Sequence, residues 1–197
     1  MRKLLIFLWL FVPLGVAAFH YGPGQERLKA DASDRHLAEA RTYLADADFT
    51  AAVEAFDQAI KELPDSETDA LARIRLEKAK AMMQCSGLPE AHDDLVALLG
   101  DLAEQKDSQP ALLAETKSTL ASAKYYLTWL MRLEGHPREV WEPEIEASRQ
   151  YYRAAAEFAS TTSDTKLITA SREDLEAAIK LARIDLSELQ GLPLPSQ

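Results

Sequence analysis

Six aromatic side chains crowd one stretch of the chain: Tyr125, Tyr126, Trp129, Trp141, Tyr151 and Tyr152. Among them runs Glu139-Val140-Trp141-Glu142-Pro143-Glu144-Ile145-Glu146. These residue types suit recognition better than bond-making. An aromatic ring offers a large contact area with a polar tip, and rings are enriched where partners bind. The segment therefore suggests an aromatic groove with an acidic lip, fit for a basic or apolar peptide. Tyr125, Trp141, Glu142, Glu144 and Tyr151 are its candidate partner-contacting residues. The competing interpretation is packing, because Tyr126, Trp129 and Leu133 fall at helical spacing on one face, as a core stripe does. Tyr125 and Tyr126 point about 100° apart on a helix, so both cannot face one core and some ring surface must stay reachable. Trp141, beside Pro143 near a helix start, is expected to be the exposed ring, and Trp129 the buried one.

Nothing else in the chain assembles a catalytic constellation. His20, His36, His92 and His136 are scattered, and none lies three or four residues from another, so no helical face offers two imidazoles to a metal. His92-Asp93-Asp94 has ligand-type residues, but acids at a helix start are ordinary. The carboxylates are too evenly spread to single out an acid–base pair. No serine stands in a nucleophile elbow, and the seven glycines form no phosphate-cradling loop. Cys85 is the only cysteine, which rules out an intramolecular disulfide and fits a buried apolar thiol. The expectation is a protein that is not an enzyme, with no cofactor and no metal.

The elements that must position the aromatic segment read as helices throughout. Two stretches repeat at an offset of 39 residues without a gap, Leu37 matching Leu76, Ala40 Ala79, Tyr43 Met82, Phe49 Leu88, Ala52 Ala91, Phe56 Leu95, Ala59 Leu98 and Leu63 Leu102. Such fixed-period self-similarity marks stacked helical hairpins. Ser33 or Asp34 begins the first helix, which runs to about Ala47; Thr50 caps the second, to about Leu63. The third spans Ser66–Asp69 to Cys85, and Gly87 and Pro89 turn the chain into the fourth, ending near Glu104. Asp107-Ser108-Gln109-Pro110 is the next break. A longer hairpin follows, with helices from about Ala111 to Leu133 and, with Pro143 in its first turn, to about Ala159. After Ser160-Thr161-Thr162-Ser163, a last helix carries Ile168, Leu175, Ile179, Ala182, Leu186 and Leu189 on one face and seals the stack. Gly191 stops it, and an extended tail leaves.

Residues 33–66 resemble a tetratricopeptide repeat. Ala40, Ala52 and Ala59 match its small positions, Tyr43, Phe49 and Phe56 its large ones, and Pro64 its terminal proline. Residues 72–105 match less closely: Ala79, Gly87, Leu88, Ala91 and Leu95 fit, but Ala103 replaces the proline. The usual unit is about 34 residues, so the longer offset implies about five extra residues in the Asp65–Asp69 turn. The resemblance covers about a third of the chain. It implies an all-α, right-handed solenoid of tetratricopeptide-like hairpins, with a longer third hairpin and a C-terminal capping helix. It also implies a general protein-interaction scaffold.

Composition and the N-terminus set the cellular frame. Arg2 and Lys3 precede an apolar run, Leu4 to Val16, followed by Val16-Ala17-Ala18 with the small residues of a cleavage site. Leu4 to Tyr21 also reaches the lower limit of the roughly 17–25 residues that span a bilayer. The segment is thus a signal peptide or an anchor, and either puts the remainder outside, periplasmic or on the outer face of the inner membrane. About 175 residues then remain, enough for a real core. Against 32 acids stand 22 bases, and removing Arg2 and Lys3 leaves a net charge of 20 − 32 = −12. That argues against nucleic acid as a partner and leaves membrane contact to residues 4–21. The expected organisation is a leader or anchor over 1–21, a linker over 22–32, two repeats over 33–105, a long hairpin over 106–160, a capping helix over 161–190 and a tail over 191–197. The function expected is an exported or membrane-tethered scaffold that binds a protein or peptide in a bacterial cell envelope. The alternative is a binder of a small molecule or cell-wall fragment through residues 125–152.

Overall fold

The computed structural model describes Trp9, Pro13 and residues 23–105, 109–185 and 188–189. The stretch expected to be a leader or anchor, apart from Trp9 and Pro13, lies outside the described residues, as do the expected tail over 191–197 and the Asp107-Ser108 part of the expected break. Among the described residues the fold is all-α, without a strand. The helices are α1 (Pro23–Ala45), α2 (Phe49–Glu62), α3 (Thr68–Met83), α4 (Leu88–Glu104), α5 (Pro110–Leu133), α6 (Arg138–Ser160) and α7 (Thr165–Arg183). None of them is long and apolar enough to cross a membrane. The chain divides into two compact units, residues 1–74 and 75–197.

The first unit is built on the α1–α2 hairpin. Ala40, Ala52, Ala59 and Phe56 are all fully buried, so small residues sit where the hairpin needs close approach. Tyr43 is exposed and Phe49 half-buried, so two of the three large repeat-like positions stay outside the deep core. Helix α1 begins at Pro23, well before the expected start at Ser33 or Asp34. The stretch expected as a linker is therefore mostly helical. Gly-Pro-Gly reads as a joint in sequence, but proline is also well suited to a first helical turn. Ser33 is buried mid-helix and donates to the carbonyl of Ala59, 2.8 Å away, tying α1 to α2.

Turn chemistry sets the next boundary. The amide of Asp48 bonds the carbonyl of Tyr43 and that of Ala47 the carbonyl of Leu44, the paired bonds of a Schellman ending. Ala47 occupies the left-handed position, at φ 58°. Asp48, not Thr50, then caps α2, its Oδ1 accepting from the amide of Ala51 at 3.1 Å.

The second unit holds the end of α3 and helices α4 to α7. Arg75 pairs with Asp101 at 2.5 Å and Lys78 with Asp94 at 3.8 Å, the order expected of antiparallel α3 and α4. The turn between them is tight at Gly87, where a Cβ would stand 3.2 Å from Cβ of Met82. Helix α5 closes with a second Schellman pair, His136 N to Met131 O and Gly135 N to Arg132 O, and Gly135 supplies φ +78°. Helix α6 begins at Arg138, so Pro143 lies inside it rather than in its first turn. Its missing N–H leaves the carbonyl of Glu139 without its intrahelical donor, close to an exposed helix end.

The core of this unit joins Ala121 and Tyr125 of α5, Ile145 and Tyr152 of α6, and Ala177, Ala178 and Leu181 of α7, with Leu189 beyond. On α7 the buried positions are Ser171, Asp174, Ala177, Ala178 and Leu181, while Ile168, Leu175, Ile179 and Ala182 are half-buried. The buried face is therefore rotated from the one its large apolar residues mark. Small residues let α7 approach closely, and the bulkier side chains flank the contact.

Candidate functional site

The aromatic hairpin is largely core. Tyr125 and Tyr152 are fully buried, and Tyr126, Trp129, Trp141 and Tyr151 pack partly buried against the same cluster. Tyr125 is thereby removed from any surface, contrary to expectation. Burial pushes its phenol up to about 12, with a smaller contribution from the neighbouring Tyr126. Burial also pushes the Tyr152 phenol strongly up. Its hydroxyl lies 2.9 Å from Oγ of Ser122, which donates its own proton to the carbonyl of Ser118. Tyr152 is then the donor of the pair.

The stripe on α5 is shifted by one residue from the expected Tyr126, Trp129 and Leu133. Tyr125, Thr128 and Arg132 are buried, while Leu133 is exposed. Thr128 is admitted because its hydroxyl donates to the carbonyl of Lys124. Arg132 is admitted because its guanidinium donates to the carbonyls of Leu181 and Ile184, at the end of α7. Trp141, expected to be free, is half-buried with the Arg132 guanidinium 4.8 Å from its ring centre.

The acidic lip is charge-compensated. Glu142 accepts from Arg138, whose pKa rises through that bond, Glu144 from Lys124 at 2.6 Å, and Glu146 from Arg149 at 2.5 Å. The hairpin thus spends much of its aromatic area and most of this charge on its own packing.

An open groove runs instead along another face of α5. Ala111, Glu115, Ser118, Ser122, Tyr126 and Trp129 recur at helical spacing, and each lines one of three adjoining hollows. The central hollow, about 210 Å³, also takes Lys80, Met83 and Gln84 of α3 and its end. The second, about 270 Å³, shares Glu115 and Ser118 with it and is walled by Phe158 of α6 and Leu167 of α7. The third, about 310 Å³, shares Met83 and is walled by Leu88, Tyr126, Trp129 and Leu130. Ala111 to Trp129 covers about 27 Å at the rise of an α-helix, room for an extended segment of about eight residues.

Lys80 and Glu115 form an ion pair at 2.5 Å on the rim of the central hollow. The floor is hydroxyl-rich because Thr119 and Ser122 satisfy themselves on carbonyls one turn back. Such a surface can hold a chain by apolar contact and a few hydrogen bonds. It offers no paired nucleophile and base. Among the described residues no three His, Cys, Asp or Glu side chains converge on a metal position. Cys85 is half-buried at the edge of the third hollow, its thiol directed to the carbonyl of Met82. The groove's sequence signal, the small and hydroxyl residues at 111, 118 and 122, is quiet beside the aromatics that follow it.

No protein-family model, no curated protein and no solved structure matches the chain.

Proposed function

We propose that this protein is a helical-repeat scaffold of the tetratricopeptide type that holds a segment of another protein in the α5 groove. One observation carries the proposal: three adjoining, open hollows follow a single face of α5 for most of its length. A line of shallow sites suits a polypeptide, whose side chains repeat along its length, whereas a small molecule favours one enclosed cavity. The fully buried alanines of the first hairpin and its repeat with residues 72–105 support the family assignment. The basic-apolar leader, Arg2-Lys3 and Leu4–Val16, supports action outside the cytoplasm, in a bacterial envelope, with the protein either released or tethered through residues 4–21.

Two parallel experiments test the proposal. Native protein and a Ser118→Arg variant, which fills the centre of the groove, are used to capture partners from an envelope extract. Both are also screened by thermal shift against metabolites and cell-wall fragments. The proposal expects a protein captured by the native chain and lost with Ser118→Arg. A soluble fragment that stabilises the native chain, with no protein captured through the groove, would favour the small-molecule function instead.

A further inference from the structure

The third hollow differs from the other two in the size of its apolar side chains, two of them aromatic rings. Met83, Leu88, Tyr126, Trp129 and Leu130 form most of its lining, around a volume of about 310 Å³. Leu130 is 40% exposed although it forms a wall. Leu133, the last residue of α5, and Val140, early in α6, are exposed at 43% and 46%. Leu130 therefore presents apolar surface to the concavity itself, the arrangement by which an interaction site is recognised. Two half-buried rings facing a hollow also provide the contact area that anchors an interface.

Charge defines the occupant. No lysine or arginine lines the hollow. Glu90 follows the lining residue Pro89, and Glu134 stands one helical turn beyond Leu130; both are exposed. Neither forms an ion pair with a lysine or arginine among the described residues, and Glu134 meets only His136, at 3.2 Å. This contrasts with α6, where Glu142, Glu144 and Glu146 each have a basic partner. The acids beside the hollow are left for something else. Without Arg2 and Lys3 the chain has 32 acids against 20 bases, which draws cationic partners and repels anionic ones.

We propose that the Tyr126–Trp129 hollow seats one large apolar side chain of a partner polypeptide whose neighbouring residues are lysine or arginine, with Glu90 and Glu134 meeting those cations. This inference rests on the function proposed above and adds the chemistry of the partner. The apolar side chain supplies contact area, and the cations supply orientation and speed of encounter.

A labelled decapeptide tests it by fluorescence anisotropy, with a central tryptophan flanked on each side by two lysines in a Gly/Ser background. Two control peptides replace the tryptophan by alanine or the lysines by glutamate. The proposal expects saturable binding of the first peptide, weakened about tenfold or more in each control. Added salt should weaken it further. The protein variant Glu90→Lys/Glu134→Lys, changed only at exposed positions, should bind about tenfold more weakly while keeping its helical circular-dichroism spectrum. Should that variant melt early, Glu134→Gln alone gives the same comparison in smaller degree. Equal affinity for the lysine and glutamate peptides, or no binding of the lysine peptide up to about 1 mM, would overturn the inference. The wider function would survive that result if Ser118→Arg still abolished capture of a protein, so the two failures are distinct.

Discussion

The guanidinium of Arg132 stands 4.8 Å from the centre of the Trp141 ring, over a residue that sequence spacing alone places at an open helix start. The same guanidinium donates to the carbonyls of Leu181 and Ile184, so one side chain of α5 joins α6 to the end of α7. Burial lowers the pKa of Arg132, Asp185 partly offsets this, and arginine still remains charged at any working pH. Replacing Arg132 by methionine keeps much of the bulk but strands two carbonyls near the core. Arg132→Met should cost about 2–4 kcal/mol in urea unfolding, and Arg132→Lys somewhat less, because lysine lacks the planar fork. Trp141→Ala should cost about 2–3 kcal/mol through lost packing, since it removes a ring packed on the core. A Trp141→Ala protein with unchanged stability would show that the ring contributes no packing.

Ala47 is a non-glycine residue at φ 58°, in the turn that ends α1. A Cβ in that conformation is strained, and glycine removes the strain while making the unfolded chain slightly more flexible. Ala47→Gly should therefore stabilise the first unit, by about 0.5–1 kcal/mol, read as a shift of the denaturation midpoint. Destabilisation would show that the turn has another backbone geometry.

Two buried phenols make the second unit sensitive to alkali. Burial raises the Tyr125 pKa from 10.0 to about 12, and that of Tyr152 is raised further by the same cause. In the window between the unfolded and folded values, the unfolded state loses the proton that the folded state keeps. Their stabilising contribution is therefore complete below pH 10; that of Tyr125 is lost as the pH rises through 12, and that of Tyr152 continues to fall beyond it. Melting temperatures measured at intervals from about pH 8 upward should fall steeply above the ordinary tyrosine pKa. The fall should be shallower in Tyr125→Phe/Tyr152→Phe, compared with each protein's own value at neutral pH. An equally steep fall in that double variant would place the alkaline sensitivity elsewhere.

The proposal of action outside the cytoplasm carries a prediction of its own. A phosphatase reporter that works only after export, fused after Gln197, should be active when the full chain is expressed in bacteria. A stable but inactive fusion would contradict action outside the cytoplasm. Mass spectrometry of the purified chain then separates cleavage, with a new start at Phe19, from anchoring, with Met1 retained.

Much of the helical framework was legible in the sequence. The matched alanines foretold where the first hairpin packs most closely, and Ala40, Ala52 and Ala59 are all fully buried. What misled was the assumption that large apolar side chains mark the buried face. On α5 the deep stripe includes Thr128 and Arg132, and on α7 Ser171 and Asp174. Hydrogen bonds make burial tolerable for Thr128 and Arg132: one turn back along its own helix for the first, to the end of α7 for the second. Hydrophobicity alone cannot reveal such partners. Trp141 was misplaced because its cation, Arg132, lies on another helix. The α5 groove was overlooked because Ala111, Ser118 and Ser122 define it by being small.

The central claim, that the α5 groove holds a protein segment, is tested most directly by site-specific photo-crosslinking in living cells. A photoreactive phenylalanine analogue is placed at Ser118, inside the groove, and separately at Val96, an exposed position on α4 that lines none of its hollows. The account predicts a discrete crosslinked protein of defined mass from position 118 and none of that mass from position 96. Crosslinking of that same protein from position 96 but not from 118 would contradict it.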